Sequence, residues 1–378
     1  MAIKEIEKEE QPKAAAASEA REPINYGWAA VGLIIVIGLG FLTRFLEKNV
    51  PGWFEWSWVK SIEFPVYAII VGLIGGTIIT ALGIREKVAP AFQTEFFIKT
   101  GLVLLGASIN VSVIVSAAGP AIIQALLLVT GVFFFTWWIA SVFKVDHKLR
   151  ALLATAVSIC GVSAAIAAAG AVRAKREQIA YAATLVILFA LPSIFVLPWL
   201  AGVLGLSPEV AGAWIGGNID TTAAVSAAGA IVGEEALQVA SVVKLTQNVL
   251  IGVVAVALTL YFALKIERKD ATEARAGVGK ALWERFPKFV LAFIVASIVG
   301  TLYLSNLGEG ATDWVKSVVN PLRTYFLILA FVSIGLEFRV KNLRQEGWRP
   351  VAVFGAATVF NILLALGLAS LLFANFEI

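Results

Sequence analysis

The sequence of 378 residues has very few of the side chains that build metal centres and most active sites. It holds one cysteine, one histidine and 15 % charged residues. A single cysteine excludes an internal disulfide, and a single histidine excludes most zinc sites and a bis-histidine haem. Soluble domains carry about 25 % charged residues. The net charge of +4 is small, and the basic residues lie in short loops between apolar runs, so we expect no nucleic-acid partner.

Apolar residues dominate instead, at 59 % of the chain, with a mean hydropathy of +0.87. We therefore predict an all-α polytopic membrane protein with about nine to eleven transmembrane segments, multi-pass in the cell inner (plasma) membrane, with the lipid bilayer as its partner. The apolar runs cover about 27–45, 65–83, 96–115, 117–143, 150–173, 178–206, 208–233, 237–265, 287–305, 318–338 and 349–375.

The chain outside these runs is short. Residues 1–25 are charged and rich in alanine, which predicts a disordered cytoplasmic tail without a signal peptide. Residues 26–378 then form a single transmembrane domain. The polar stretch 266–286 is typical of an amphipathic surface helix.

Two apolar runs are interrupted by polar, glycine-containing segments. Run 150–173 contains Ser158–Ser163, and run 208–233 contains Gly216–Thr222. Such backbone is tolerated at membrane depth only where it is buried in protein or lines a cavity. A discontinuous segment in each half of a chain is the best sequence indication of a transporter binding site. The sequence leaves open whether these segments are re-entrant hairpins or crossing broken helices.

The two interrupted runs also resemble each other. Ala167–Val172 matches Ser226–Ile231, and each is followed by a Gln-x-Ala segment, at Gln178 and at Gln238. If the runs are hairpins that enter from opposite sides, all the clusters of basic residues face the cytoplasm, as the positive-inside rule requires. We therefore predict inverted-topology repeats, a cytoplasmic N-terminus and an external C-terminus.

The polar segments supply candidate binding groups. Each is followed by an apolar half-helix whose free amides and positive dipole end point into the break, which favours an anion. The candidates in the breaks are Ser158, Cys160, Gly161, Ser163, Asn218, Thr221 and Thr222. Asp220 is a carboxylate in an apolar run, where a functional role is the default interpretation. It is predicted to handle a proton or a sodium ion, and it can also cap the half-helix that follows.

Run 237–265 carries a further polar face. Lys244, Gln247 and Asn248 are spaced i, i+3 and i+4, so they share one side of a helix. Lys244 is expected to pair with Asp220 or with an anionic substrate, the alternative being a lysine that reaches the membrane edge. Glu337 and Arg339 are interpreted as an ion pair at the membrane boundary.

Three motifs carry a resemblance to a known family. ICGVSAAIA (159–167), GGNIDTTAAVSAAGAIVG (216–233) and VVKLTQNVLIG (242–252) resemble the YeiH-type sulfate exporter family of bacterial membrane proteins. The resemblance runs from about residue 65 to 375. It implies the wider superfamily of bile-acid symporters and sodium/proton antiporters, with inverted repeats, discontinuous helices, a mobile core and a scaffold.

Together these observations predict a secondary active transporter of a small anion, such as sulfate or a sulfonate, that works by alternating access. The core is expected at about 96–265 plus 318–375, and the scaffold at about 27–83 and 287–305. We expect no cofactor or metal beyond H⁺ or Na⁺ coupling, and a homodimer would supply a fixed scaffold. The predicted substrate-binding residues are Ser158, Cys160, Gly161, Ser163, Asn218, Thr221, Thr222, Lys244, Gln247 and Asn248.

Two other functions remain open at this point, and a third is not expected. A cation/proton antiporter would use Asp220 and Lys244 as a titrating pair. An anion channel would need no coupling ion. An intramembrane enzyme is not expected, because the sequence has neither a His–Cys pair nor paired carboxylates in its apolar runs.

Overall fold

The computed structural model describes residues 25–53, 62–262, 279, 283–284, 286–307, 313–338 and 347–376. All regular elements among these residues are helical, and eight helices are long and apolar enough to cross a membrane. The predicted tail 1–25 (apart from its last residue), most of the predicted surface helix 266–286, and Arg339 lie outside the described residues.

The helices follow the apolar runs closely. They are α1 (Tyr26–Trp53), α2 (Phe64–Ala81), α3 (Arg85–Val88), α4 (Thr94–Ser108), α5 (Val111–Val142), α6 (His147–Ser158), α7 (Val162–Val172), α8 (Arg176–Val203), α9 (Pro208–Asn218), α10 (Thr222–Val232), α11 (Glu234–Tyr261), α12 (Lys288–Leu307), α13 (Asn320–Glu337) and α14 (Arg349–Leu372).

Eight long spans are fewer than the nine to eleven segments predicted from the sequence. The difference arises because the two interrupted runs are each divided between two short helices, α6 with α7 and α9 with α10. The apolar part of α12, Lys288–Tyr303, is also shorter than the eight long spans.

Helices α6 and α7 form an antiparallel hairpin, called here the first hairpin. Lys148 at the start of α6 donates from Nζ to the carbonyl of Arg173, which directly follows α7, at 2.8 Å. Asp146 caps α6 by accepting from the amides of Lys148 and Leu149 at 3.0 and 3.3 Å. Burial raises the pKa of Asp146, but hydrogen bonds from Gln178 and these amides outweigh burial, so the pKa lies below its usual value.

Helices α9 and α10 form the second hairpin. A Cβ atom on Gly212 would lie 2.5 Å from the carbonyl of Ala236, and one on Gly216 would lie 2.6 Å from that of Ala240. Because both numbers rise together, α9 runs parallel to α11. A chain that crossed as a single broken helix would run antiparallel to α11, so α10 must turn back. The structure thus folds both interrupted runs as hairpins.

The helices pack in two groups. Helices α1, α2, α4, α12 and α13 pack mainly on one another and are called the panel. Helices α5 to α11 and α14 form the other group, called the hairpin bundle. Most contact between the groups is made by α10, which touches α2, α4 and α13. The helices α4 and α13, predicted beside the core, therefore pack in the panel.

Helices α2 and α13 pack at backbone contact within the panel. A Cβ atom on Gly72 would lie 2.2 Å from the carbonyl of Val332, and one on Gly335 would lie 2.5 Å from the amide of Leu73. Small residues allow this approach, which supplies the van der Waals contact that holds helices together in lipid.

Replacing Gly72 by alanine should therefore destabilise the protein. The added methyl group meets backbone that cannot move aside, and overpacking of this kind costs about 1–3 kcal/mol. Thermal unfolding in detergent measures the effect. Gly38→Ala in α1 is the matched control, because nothing lies within 4 Å of its Cβ position, and it should be neutral or slightly stabilising. Equal melting temperatures for the two variants would contradict the packing described.

Candidate functional site

The tips of the two hairpins meet inside the protein. A Cβ atom on Gly161 would lie 3.2 Å from Cγ2 of Thr221 and 3.4 Å from Cβ of Asp220. Gly161 itself has a φ of +66°, and its Cβ would lie 2.6 Å from Cγ1 of Val186. The first tip therefore requires glycine for both its conformation and its contacts. The breaks predicted from the sequence are thus brought together into one site.

Each hairpin leaves the last carbonyls of its first helix without a helical partner. Lys244 donates from Nζ to the carbonyl of Ile159 and, at 3.0 Å, to Oε1 of Gln247. Gln247 in turn donates from Nε2 to the carbonyl of Gly217 at 3.0 Å. The predicted polar face of α11 therefore supports the backbone of both hairpins.

Two further amides contribute to this support. Asn361 of α14 donates to the carbonyl of Asn218 at 3.0 Å and to that of Val157 at 3.4 Å. Gln124 of α5 donates to the carbonyl of Ala213 at 2.8 Å. Sequence reasoning missed Asn361 and Gln124, although each is an amide side chain in the middle of an apolar run.

A cavity of about 980 Å³ reaches the hairpin tips. Its lining includes the first residues of the second helix in each hairpin, at Val162 and Ser163 and at Thr222 and Ala223. These are the N-terminal ends of α7 and α10, where the positive end of the dipole and first-turn amides lie. At α10 the hydroxyl of Thr221 accepts from the amide of Ala224 at 3.2 Å, which leaves the amides of Thr222 and Ala223 without a helical partner. The predicted binding residues in the lining are Cys160, Ser163, Thr221, Thr222 and Asn248.

Asn248 is the most informative of these side chains. It is only 3 % exposed, and it donates from Nδ2 to Oγ1 of Thr222 at 3.1 Å. Its Oδ1 atom has no hydrogen-bond partner. Because the Thr222 hydroxyl can donate or accept, the Asn248 amide can offer either its oxygen or its NH₂ group to a ligand.

The other predicted binding residues are absent from the cavity lining. They are Gly161, at the first tip, and Ser158, Asn218, Lys244 and Gln247, and the predicted coupling residue Asp220 also lies outside the lining. Lys244 is 1 % exposed and Asp220 is 6 % exposed. The ion pairs of 4 Å or less in the described part of the chain do not include one between Lys244 and Asp220. The two charges still interact electrostatically.

The mouth of the cavity carries charged side chains. Lys99 and Glu95 of α4 form an ion pair of 2.7 Å there, and Lys288 and Glu337 also line the cavity. Glu337 was expected in a boundary ion pair with Arg339, which lies outside the described residues. The sequence reasoning did not anticipate that Glu337 faces a cavity.

An ion pair joins the panel to the hairpin bundle at the opposite ends of α4 and α13. Arg323 of α13 donates to both carboxylate oxygens of Glu234, at the start of α11, at 2.6 and 3.0 Å. The Arg323 guanidinium also lies 3.3 Å from Oγ of Ser108. A bidentate pair of this kind is geometrically specific. The only sequence signal for it was an arginine near the start of run 318–338.

These features define an all-helical, multi-pass membrane protein whose cavity ends at two helical hairpins. Residues 31–354 match the family described as Conserved hypothetical protein 698, and the chain belongs to this family. A UPF0324 membrane protein of Rhodopirellula baltica is 39 % identical over 343 residues, which cover 88 % of this chain and 62 % of the relative.

Other relatives carry the same UPF0324 description. One from Nitratidesulfovibrio vulgaris is 34 % identical over 370 residues, covering 91 % of this chain and 63 % of the relative. One from Streptococcus agalactiae serotype V is 26 % identical over 327 residues, covering 85 % and 94 %. The chain thus spans 62 to 63 % of the length of the first two relatives. No solved structure matches the chain.

The buried lysine yields a test of the site's architecture. Lys244→Met should destabilise the protein by about 3–5 kcal/mol, because it leaves a carbonyl and a nearby carboxylate without their buried cation. Chemical unfolding in detergent measures this. Lys99→Met is the matched control, because that lysine is half-exposed and exposed pairs contribute about 1 kcal/mol or less. Adding Asp220→Asn to Lys244→Met should recover part of the loss, and equal effects of the two single methionine variants would refute the assignment.

Proposed function

We propose that the protein is a secondary active transporter of a small anion, sulfate or sulfonate-like, that works by alternating access. The observation that carries the proposal is the asymmetry of the hairpin tips. The positive ends of α7 and α10 open into the cavity. The negative ends of α6 and α9 face away from it and are bonded by side chains such as Lys244 and Gln247.

This arrangement favours a negative ligand on physical grounds. Two helix N-termini aimed at one volume offer free amides and positive potential together. The hydroxyls of Ser163 and Thr222 and the amide of Asn248 add neutral hydrogen-bonding groups at the same place. An anion bound there would need no full positive charge from the protein, because Lys244 already compensates the carbonyl ends behind the tips.

The hairpins also fit the dimensions of a bilayer. Eleven residues in each of α7 and α10 rise about 16 Å, roughly half of a hydrocarbon core about 30 Å thick. Two re-entrant hairpins that enter from opposite sides would therefore meet at mid-membrane, as inverted repeats do in transporters. With the N-terminus in the cytoplasm, the base of the first hairpin, with Lys148 and Arg173, is cytoplasmic, as the positive-inside rule prefers.

The two helix groups suggest how access alternates. The cavity opens beside the start of α4 and the end of α13, which face the cytoplasm in this orientation. The Arg323–Glu234 pair closes the opposite side. We infer that the hairpin bundle is the moving core and the panel is the scaffold, in a state open to the cytoplasm. Asp220 would then carry the coupling proton or sodium ion.

A second function rests on one specific observation. Asp220 and Lys244 are both buried beside the tips and interact electrostatically. Such a pair is the one that a cation/proton antiporter would titrate. This alternative predicts a cation ligand at Asp220 and gives no role to the half-helix ends that face the cavity.

Ligand-induced stabilisation of the purified protein distinguishes these functions. Sulfate or methanesulfonate at one hundred times its dissociation constant should stabilise the folded state by about 2.7 kcal/mol. Thr222→Val and Asn248→Ala should weaken binding about tenfold or more, since a hydrogen bond to a charged group contributes about 1.5–3 kcal/mol. Thr77→Val is the matched control, because that hydroxyl is exposed and bonds only its own helix at Leu73.

The contrary result is equally specific. If no anion raises the melting temperature while sodium or lithium does, and Asp220→Asn removes that effect, the antiporter replaces the anion transporter. Uptake of labelled sulfate into proteoliposomes without saturation or coupling would instead favour a channel.

The Arg323–Glu234 pair should hold the external side closed. In a Cys160→Ala background, which removes the only native thiol, Thr222→Cys should react with a membrane-impermeant thiol reagent from the cytoplasmic side. Adding Arg323→Gln should increase labelling from the external side severalfold. Arg44→Gln, which breaks a pair with Glu47 inside α1, is the control and should have no effect. Unchanged external labelling in the Arg323→Gln protein would show that this pair is not the external gate.

A further inference from the structure

The wall of the cavity changes character with depth. The hairpin tips at its inner end carry hydroxyls and an amide, from Ser163, Thr222 and Asn248. Its mouth carries Glu95, Lys99, Lys288 and Glu337. Isoleucines lie between these two ends. Ile98 and Ile334 are one helical turn inward from Glu95 and Glu337, and Ile166 is one turn from Ser163 towards the base of the first hairpin.

An apolar face of α8 starts in this middle zone and continues past the tips. Ala183, Ile187, Ala190 and Ile194 all line the cavity. Their spacing of three or four residues places them on one side of the helix over three turns. The Cβ position of Gly161, at the first tip, lies 2.6 Å from Val186, so Ala183 lies on the mouth side of the tips, Ile187 lies level with them, and Ala190 and Ile194 lie beyond them. Ile251 of α11 adds to the wall near Asn248. The polar inner end and the charged mouth are thus separated by a wall of branched aliphatic side chains.

From this gradation we propose that the transported anion is amphipathic: an organic anion with a compact, sulfonate-like head group and an apolar body. The inference rests on the proposed function, and it names the substrate class of the same site. The head group would bind at the N-terminal ends of α7 and α10. The apolar body would extend towards the mouth and pack against Ile98, Ile166, Ile251 and Ile334.

Size and hydration both favour such a ligand over a bare inorganic anion. The cavity volume of about 980 Å³ is at the upper end of the range of about 300–1,000 Å³ for sites that bind drug-sized ligands. Sulfate would fill a small fraction of it and would leave the aliphatic wall facing water. An alkyl chain would bury that wall, and each buried methylene should strengthen binding about fourfold.

The side chain of Asn248 supports the position of the head group, because turning the amide lets Oδ1 accept from the Thr222 hydroxyl and leaves the NH₂ group to donate to an anion. It is buried, it lines the cavity, and one of its polar atoms has no partner within the protein. Buried polar atoms are rarely left unpaired, and a head group that accepts from the turned amide would leave both polar atoms of Asn248 paired. This observation is independent of the helix ends.

The experiment is a titration series with the full chain in nanodiscs. Calorimetry would compare sulfate, methanesulfonate, butanesulfonate, hexanesulfonate and octanesulfonate, with hexanol as the probe that lacks the anionic head. We expect affinity to rise about fourfold per methylene until the chain outgrows the wall. Hexanol should bind far more weakly than hexanesulfonate, because it cannot use the helix ends.

Two variants locate the two parts of the ligand. Ile166→Ser should reduce the gain per methylene while leaving methanesulfonate binding unchanged, because Ile166 lines the apolar zone and is 55 % exposed. Asn248→Ala should lower the affinity for every sulfonate by a similar factor and leave the gain in affinity per methylene unchanged. Val196→Ser on α8 is the matched control, because it is 44 % exposed and lies outside the lining.

The outcomes separate the two levels of the proposal. If sulfate and all sulfonates bind with the same affinity, the amphipathic ligand is refuted while the anion transporter stands. If affinity rises with chain length but hexanol matches hexanesulfonate, or Ile166→Ser behaves like Val196→Ser, the binding is nonspecific partitioning and the inference fails. If no anion binds at any chain length, both the inference and the proposed function are overturned.

Discussion

The site depends on one requirement, which is that the carbonyls at the ends of α6 and α9 find hydrogen-bond donors without water. A helix that stops in an apolar interior exposes up to four such groups, and each is costly to leave unpaired. Lys244, Gln247 and Asn361 supply the donors from two different helices, α11 and α14. The tips can end where they do because those helices pack around them and donate to them.

The same requirement determines which ends of the helix dipoles face the cavity. Once protein donors occupy the carbonyl ends, the amides at the starts of α7 and α10 are the groups left to face the cavity. Lys244 reduces the negative potential behind the tips, because its ammonium group lies at the carbonyl end of α6, where the helix dipole is negative. In the proposed anion site, the positive charge of Lys244 is therefore held behind the tips, where it also supports the backbone. This explains why a lysine that the sequence suggested as a ligand lies outside the cavity lining.

Much of the architecture could be predicted from the sequence because hydrophobicity and helix breaking are local properties. The apolar runs, the breaks at Ser158–Ser163 and Gly216–Thr222, and the shared face of Lys244, Gln247 and Asn248 all follow from neighbouring residues. The pairing of hairpins with distant helices does not. Asn361 lies more than 140 positions from Asn218, and the Arg323–Glu234 pair links residues 89 positions apart. Nothing local distinguishes these side chains from other polar residues in apolar runs.

The division between panel and hairpin bundle follows from how tightly each is packed. Gly72 and Gly335 hold α2 and α13 at backbone contact, and Gly212 and Gly216 do the same for α9 and α11. Between the groups the main contact is through α10. Small residues thus join helices within a group, whereas the cavity and the Arg323–Glu234 pair lie between groups. In lipid, apolar contact gives little preference for one partner over another, so this difference in packing makes the boundary at α10 the place where the motion proposed for alternating access would break the fewest close contacts.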